Sequence, residues 1–467
     1  MHPHHEKATN GKGHNGRVHA PAPALPAMPP RAEREAAGRA LRSRAPRADH
    51  ARFEPHRGRD PLALVDATNE GRLADLVPVR WGRMFDSPFR FYRGAPAVMA
   101  FDLSHTPATG LRVQACGDAH LLNFGGFATP ERNLIVDLND FDETHPGPWE
   151  WDVKRLAASI VVSARDGGRT SDRAARGAAE GAVRAYREHM RLLAKQDPIS
   201  VYYERVDATR AARELRQSRA VTKRMAERVA RKTAETVPKL TELVGKQLRI
   251  LTRPPIIQPL PPQLSDGVRR VFADYYKSLR DDRRMLLERF HIVDTALKVV
   301  GVGSVGTRCF IVLLEADGAP FFLQVKEAFP SVLAPYVGGA RFDHQGRRVV
   351  MGQRMMQAAS DIFLGWASNG PRDFYVRQFR DMKVGIDLDN LDTGRLTKLA
   401  RLCGIILARA HARSGDAAAI GAYLGKSEAF DVAVAAFAVA YADQTERDHE
   451  ALRAAVRIGK VPALVGT

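Results

Sequence analysis

The strongest constraint on how this chain can fold is a separation. Two acidic motifs, Gly117-Asp118-Ala119-His120-Leu121-Leu122-Asn123 and Asp137-Leu138-Asn139-Asp140-Phe141-Asp142-Glu143, stand far upstream of a glycine-rich turn, Gly301-Val302-Gly303-Ser304-Val305-Gly306, and of Lys326. If these residues serve one site, the long intervening segment must fold so as to carry its two ends together.

The intervening text supports such a return. Short β-rich runs at residues 111–116 and 133–138 lead into the two acidic motifs. Residues 152–291 read as mostly helical, with proline breaks at Pro198 and from Pro254 to Pro262. Residues 297–301, 308–316 and 320–328 read as three strands, the last two joined across Asp317-Gly318, a hairpin signal. Residues 348–351 and 374–379 are candidates for two more, and helices are expected at 393–412 and 428–458. This predicts an α+β chain with two lobes, a large helical one and a smaller antiparallel β lobe. The divisions are a basic, proline-rich disordered tail at 1–55, a catalytic-loop and helical segment at 56–292, a β-rich lobe at 293–385, and helices returning to the helical lobe at 386–467.

Composition narrows the class. With 467 residues and 45% apolar content the chain can bury a large core, and no run of about 18 uncharged apolar residues predicts a membrane span. The three cysteines, Cys116, Cys309 and Cys403, show no metal-ligand spacing, which fits a reducing cytoplasm. A formal net charge of +18 leaves room for a nucleic-acid partner. It is not favoured, because the arginines recurring from Arg205 to Arg249 lack interleaved aromatics for base stacking.

Phosphoryl transfer needs a cradle for phosphates, a divalent metal and a carboxylate that orients the attacking hydroxyl. Asn123 follows Asp118 by five positions, the spacing of a base and a metal-binding amide in a kinase catalytic loop, and Asp140-Phe141-Asp142 supplies a second metal turn. The glycine turn lies between two expected strands and is followed, after a hairpin, by Lys326 on a third. That is the context of a phosphate-covering loop and its lysine, whereas a dinucleotide site would need a helix directly after the glycines.

The string Gly117-Asp118-Ala119-His120-x-x-Asn123 resembles the catalytic loop of aminoglycoside phosphotransferase and choline kinase relatives, and Asp152 follows Asp140 at the twelve-residue interval of those families. From about Pro61 onward the chain also resembles a bacterial family known as domain of unknown function 2252, grouped with protein-kinase-like folds. That likeness is carried by Gly117 to His120, Asn139 to Thr144, Trp151 to Ala157, Gly303 to Arg308, Leu323 to Ala328 and Ala410 to Asp416. The resemblance implies a protein-kinase-like fold with Asp118 as base, Asn123 and Asp140 as metal ligands and Asp152 as a structural brace. It implies ATP and magnesium as cofactors, with Gly301, Gly303, Ser304, Gly306 and Lys326 binding the nucleotide. Because the order of the halves is reversed, the fold is expected to be circularly permuted, with the 393–412 helix beneath the catalytic loop.

The expected function is transfer of a phosphoryl group, or of AMP, from ATP to an unidentified small-molecule or protein hydroxyl. The alternatives are a metal-dependent phosphohydrolase, using Asp118, His120 and the Asp137/Asp140/Asp142 cluster, and a non-catalytic nucleotide- or nucleic-acid-binding pseudokinase. His120 is expected to brace its turn and Asp137 to be structural. Arg354, Gln357 and Arg377 are candidates for hinge or substrate-side roles.

Overall fold

A computed structural model describes residues 28–168, 170–215, 236–260, 262–299, 301–339, 342–379 and 392–466. The fold is mixed α+β, and its sheets are antiparallel. Strand β1 (Arg112–Ala115) pairs with β4 (His145–Pro148), and β2 (Phe124–Ala128) with β3 (Leu134–Leu138). These two small ladders hold the acidic motifs, one in the β1–β2 connection and the other in the β3–β4 connection.

Beneath them lies a helical mass made of Trp149–Asp166, Asp172–Leu193, Thr393–Ala412 and Ala429–Arg457. Small residues let these helices approach at backbone contact. A Cβ at Gly404 would stand 2.1 Å from the Ala182 carbonyl oxygen, with Ala178, Ala185, Ala400 and Ala408 buried nearby. Among the described residues no helix is long and apolar enough to cross a membrane.

The third body is a six-stranded sheet in the order β11 (Gly365–Asn369), β12 (Arg372–Gln378), β10 (Ala319–Glu327), β9 (Cys309–Ala316), β8 (His291–Lys298) and β7 (Ile257–Pro259). Its centre is a meander of β8 (His291–Lys298), β9 (Cys309–Ala316) and β10 (Ala319–Glu327). The expected Asp317-Gly318 turn is present, with φ of +50° and +75° at the two residues, the left-handed pair that a two-residue hairpin requires. Side chains alternate across the sheet. Phe310, Val312, Leu323, Val325 and Val376 pack under the Pro262–Ser278 helix, while Gln324 and Lys326 fall on the opposite face.

Several expectations are corrected. The segment 152–291 is not helical throughout: β5 (Thr241–Val244) and β6 (Gln247–Ile250) form a hairpin about Gly245, φ +64°, and β7 (Ile257–Pro259) is an edge strand of the large sheet. The β-rich body therefore begins well before residue 293. The strand expected at 297–301 is β8, which ends before the glycines. Residues 348–351 belong to a helix, Gln345–Met356, whose buried Val349, Val350, Gln353 and Met356 recur at helical spacing, and His344 caps it by accepting from the Arg347 N–H (3.1 Å). The strand expected at 374–379 is β12 (Arg372–Gln378), paired with β11 (Gly365–Asn369).

Order also begins inside the tail expected at 1–55. Residues 1–27 and the middle of the basic stretch, 216–235, lie outside the described residues, but Arg31–Arg44 is a helix lying against Ala417–Leu424. Gly38 touches the Ala419 backbone, and Arg42 and Arg47 donate to the carbonyls of Tyr423 (2.9 Å) and Leu424 (2.7 Å). Cations thus cover the exposed carbonyl end of that helix.

Lys154, on the buried Trp149–Asp166 helix, makes its own prediction. It donates to Thr106 Oγ1 (2.9 Å) and stands 4.8 Å above the Phe437 ring, with Glu150 and His50 as its nearest titrating neighbours. Burial pulls its pKa down to about 7, against the weaker pull of Glu150. A lysine depressed in the fold binds fewer protons there than in the unfolded chain. Its cost is therefore full below pH 7 and relieved as pH rises toward the free lysine value. Lys154→Met is expected to raise stability by about 1–4 kcal/mol at pH 6 and progressively less toward pH 10, read by urea denaturation across that range.

Candidate active site

Gly117 opens the first acidic loop with φ at +79°, and a Cβ there would stand 2.3 Å from the Glu143 carbonyl oxygen. Glycine is therefore what lets the two acidic loops touch. The N–H groups of Cys116 and Gly117 donate to the two carboxylate oxygens of Asp152 (2.6 and 2.9 Å), and His411 Nε2 lies 3.1 Å from the same group. Asp152 braces the loop and ties it to the Thr393–Ala412 helix beneath. Asp137 is likewise spent internally, paired in the core with Arg409 and accepting from the Ala358 N–H (2.8 Å).

Asp118 is held by Arg155, whose Nε and Nη2 reach Oδ1 at 2.6 and 2.5 Å, and Oδ2 remains toward the cleft. Burial pushes its pKa up to about 7; Arg155 pulls the other way, and the charges of Glu143 and Asp140 add to the rise. A carboxyl poised there can accept a proton near neutral pH.

Asp140 is the open carboxylate of the second loop, with 48% of its side chain exposed. Its Oδ1 accepts from the Phe141 N–H (3.1 Å), and Oδ2 accepts no hydrogen bond from the described residues. Lys326 Nζ stands 4.0 Å from Asp140 Oδ1 and is bonded to Asp142 Oδ2. Asp142 also accepts from Tyr375 Oη (2.7 Å) and Ser304 Oγ (3.1 Å). Burial works against the lysine's charge, yet Asp140 and Asp142 hold its pKa above the usual lysine value. The β10 register explains the placement: Lys326 lies opposite Tyr375 on β12, and Gln324 opposite Arg377, so the four share one face. Arg377 donates to Gln324 Oε1 (3.0 Å) and the Asn139 carbonyl (3.2 Å). Glu327, one residue on, faces away and pairs with Arg308 at 3.1 Å.

The glycine turn closes the other side. Residues Val302–Ser304 form a tight 3-10 turn, and only Gly306 within the motif has a left-handed φ, +86°. The turn is clamped from outside: Arg72 donates to the carbonyls of Val305 (2.5 Å) and Gly303 (3.0 Å), and the Leu73 N–H donates to Gly306 (2.8 Å). A Cβ at Gly301 would meet nothing within 4 Å, so this residue fronts open space.

Between these walls lies a cleft of about 460 Å³. Asp118, Asp140, Lys326, Gly301, Gly303 and Ser304 all line it. Two expected residues do not. Gly306 sits behind the turn against Arg72, and Asn123 is buried at 2% exposure. Asn123 Nδ2 donates to the carbonyls of Asp118 (2.9 Å) and Asp140 (3.1 Å), and its Oδ1 accepts from the Asp140 N–H (2.7 Å). It staples the two acidic loops instead of presenting a ligand. His120 stands beside Asp118, its Nε2 3.7 Å from Oδ2, and its Nδ1 is buried without a partner.

A divalent cation is accordingly offered Asp140, with Asp142 beside it while that group is engaged by Lys326. Among the described residues no group of three His, Cys, Asp or Glu side chains forms a cage. One or two carboxylates suit magnesium, which keeps water and borrows phosphate oxygens, better than a metal needing a full protein shell.

Sequence reasoning missed Arg72; the segment 80–94, dense in Arg and aromatics, reads in sequence as a candidate site lining with core packing of its aromatics preferred, and the structure places Arg80 and Arg93 in the cleft wall while Trp81, Phe89, Phe91 and Tyr92 are buried. Sequence reasoning also missed Arg348, which bolts the Gln345–Met356 helix to the acidic turn by donating to the carbonyls of Asp142 (2.8 Å), Thr144 (2.5 Å) and Phe329 (2.8 Å). No curated protein and no solved structure matches the chain. Residues 72–455, which include every cleft residue named above, match the family described as an uncharacterized protein conserved in bacteria (DUF2252), and the chain belongs to that family.

Proposed function

We propose that this chain is an ATP- and magnesium-dependent phosphotransferase of the kinase-like class, circularly permuted, acting on a hydroxyl of a small molecule or protein. The observation that carries the reading is the 4.0 Å between Lys326 Nζ and Asp140 Oδ1, groups from segments that occur in reversed order along the chain. The meander supports it as well: β8, a glycine turn, β9, a tight hairpin and β10 with its buried lysine follow the order of a kinase phosphate-binding lobe. Lys326 takes its carboxylate from Asp142 of the acidic turn, where kinases use a helical Glu.

In this reading the nucleotide lies in the cleft with its phosphates between the glycine turn and Lys326. Magnesium, held through Asp140, neutralises charge on the phosphate oxygens when bound. Asp118 Oδ2 orients the acceptor hydroxyl and takes its proton. The acceptor oxygen forms a bond to the γ-phosphorus while the bond to the β–γ bridging oxygen breaks, that oxygen leaving with the electron pair on ADP. Arg155 keeps Asp118 aimed, and Asn123 fixes the distance between base and metal loops.

The dinuclear phosphohydrolase alternative leaves both the glycine turn and Lys326 unused. The test is calorimetry of ATP with and without magnesium on the wild type and Asp140→Asn. Magnesium-dependent binding that weakens at least tenfold in the variant, with unchanged melting, is the expected result. Absence of ATP binding by folded wild-type protein would remove the proposal.

A further inference from the structure

The cations of the cleft differ in what they are doing. Lys326 is bonded to Asp142, Arg155 to Asp118, and Arg377 to Gln324 and the Asn139 carbonyl. Arg72 spends its guanidinium on backbone carbonyls, and Arg80 donates to Asn69 and the Gly94 carbonyl. The Arg93 side chain makes no hydrogen bond or ion pair with any described residue. Its guanidinium lies 5.9 Å over the Phe89 ring, and its Nε is buried without an acceptor. His120 lines the same cleft with Nδ1 also buried and unpartnered. Leaving such groups unsatisfied is costly unless something absent from the protein fills the corner.

The position of Arg93 is set from both sides. The preceding residue, Tyr92, accepts through its carbonyl from Arg155 Nη2 (3.1 Å), the same guanidinium that clamps Asp118. The following residue, Gly94, packs on the glycine turn, where a Cβ would stand 3.1 Å from Val302 Cγ1. The Arg93 carbonyl itself is 3.6 Å from where a Cβ of Gly303 would be. Burial lowers its pKa; the carboxylates of Asp118 and Asp140 oppose that, and Arg90 adds to it. Arg93 thus sits on a backbone that touches the glycine turn on one side and the Arg155 clamp of Asp118 on the other, and it lines the cleft that both share.

We infer that Arg93 is the cation that stabilises the phosphoryl group in flight, an arginine finger supplied in cis. This rests on the phosphotransferase reading above. While the acceptor oxygen bonds to phosphorus and the bridging oxygen departs with its electron pair, charge spreads over the three equatorial oxygens. Arg93 donates to those oxygens, and its interaction strengthens as the transition state forms, so its contribution falls on the chemical step more than on nucleotide binding.

The test needs no knowledge of the acceptor. Wild type, Arg93→Ala and Arg93→Lys are compared by calorimetry with magnesium and a non-hydrolysable ATP analogue, and separately with magnesium, ADP and aluminium fluoride, which mimics the planar phosphoryl group. Arg93→Ala should bind the ATP analogue within about threefold of wild type and the fluoroaluminate complex at least about 100-fold more weakly, with Arg93→Lys between them. Added guanidinium should restore part of the loss in Arg93→Ala. Melting curves check folding, and removal of a cation with no carboxylate partner leaves no new unpaired charge. Equal weakening of both ligands, or no weakening of the fluoroaluminate complex, overturns the inference while leaving the phosphotransferase reading in place. Failure of the wild type to bind either nucleotide overturns both.

Discussion

Lys326→Met is expected to abolish magnesium-dependent ATP binding and to cost about 3–5 kcal/mol of folding stability, the penalty of breaking a buried ion pair from one side. Lys326 is 3% exposed, and removing its ammonium leaves the Asp142 carboxylate with only the neutral donors Tyr375 and Ser304. Stability and ligand binding are then separable by a second change. In the double variant Lys326→Met/Asp142→Asn the unpaired charge is gone, so most of the lost stability should return in urea denaturation. ATP binding should not return, because the amide cannot replace an ammonium at the phosphates. Recovery of both would mean that Lys326 serves only to neutralise Asp142, and the cleft would lose its nucleotide-binding cation.

How much of this was legible in the sequence depends on the range of the interaction. Local geometry read well: the Asp317-Gly318 turn and the strands on either side follow from residue preferences that act over a few positions. The convergence of Asp118, Asp140, Lys326, Gly301 and Gly303 on one cleft was expected from residue types, spacing and family resemblance, without any direct view of packing. The errors have identifiable causes. Val349-Val350 suggested a strand because both residues are β-branched, but the spacing to Gln353 and Met356 and the His344 cap favoured a helix. Asn123 was expected to face a metal, and no local rule showed that its amide would be consumed by the carbonyls of Asp118 and Asp140 and by the Asp140 N–H. The roles of Arg72, Arg93 and Arg348 were hidden for a different reason. A long side chain reaching across the fold leaves no periodic trace in its own segment, and only the carbonyls and open space it meets in three dimensions distinguish it from a solvated charge.

Asp152→Ala should be as damaging to the fold as loss of Lys326, by about 3–5 kcal/mol, and for a reason that bears on the reversed order of the chain. Asp152 satisfies the N–H groups of Cys116 and Gly117, and alanine leaves two buried donors without acceptors at the point where the loop turns through a left-handed glycine. Its other partner is His411, near the end of the Thr393–Ala412 helix, which in turn meets Tyr186 Oη through Nδ1 (2.9 Å). One carboxylate therefore joins the first acidic loop, a central helix and a helix from far along the chain. If the packing of the Thr393–Ala412 helix beneath the first acidic loop depends on this junction, Asp152 and His411 are energetically coupled. A double-mutant cycle of Asp152→Ala and His411→Ala, read by urea denaturation, should then show losses that fall short of additive by about 1 kcal/mol or more. Additive losses would mean that the C-terminal helix holds its place by apolar packing alone, and that Asp152 anchors only its own loop. Asp152→Asn serves as the control. It keeps one acceptor for the backbone pair, so it should recover part of the stability while failing to hold both N–H groups.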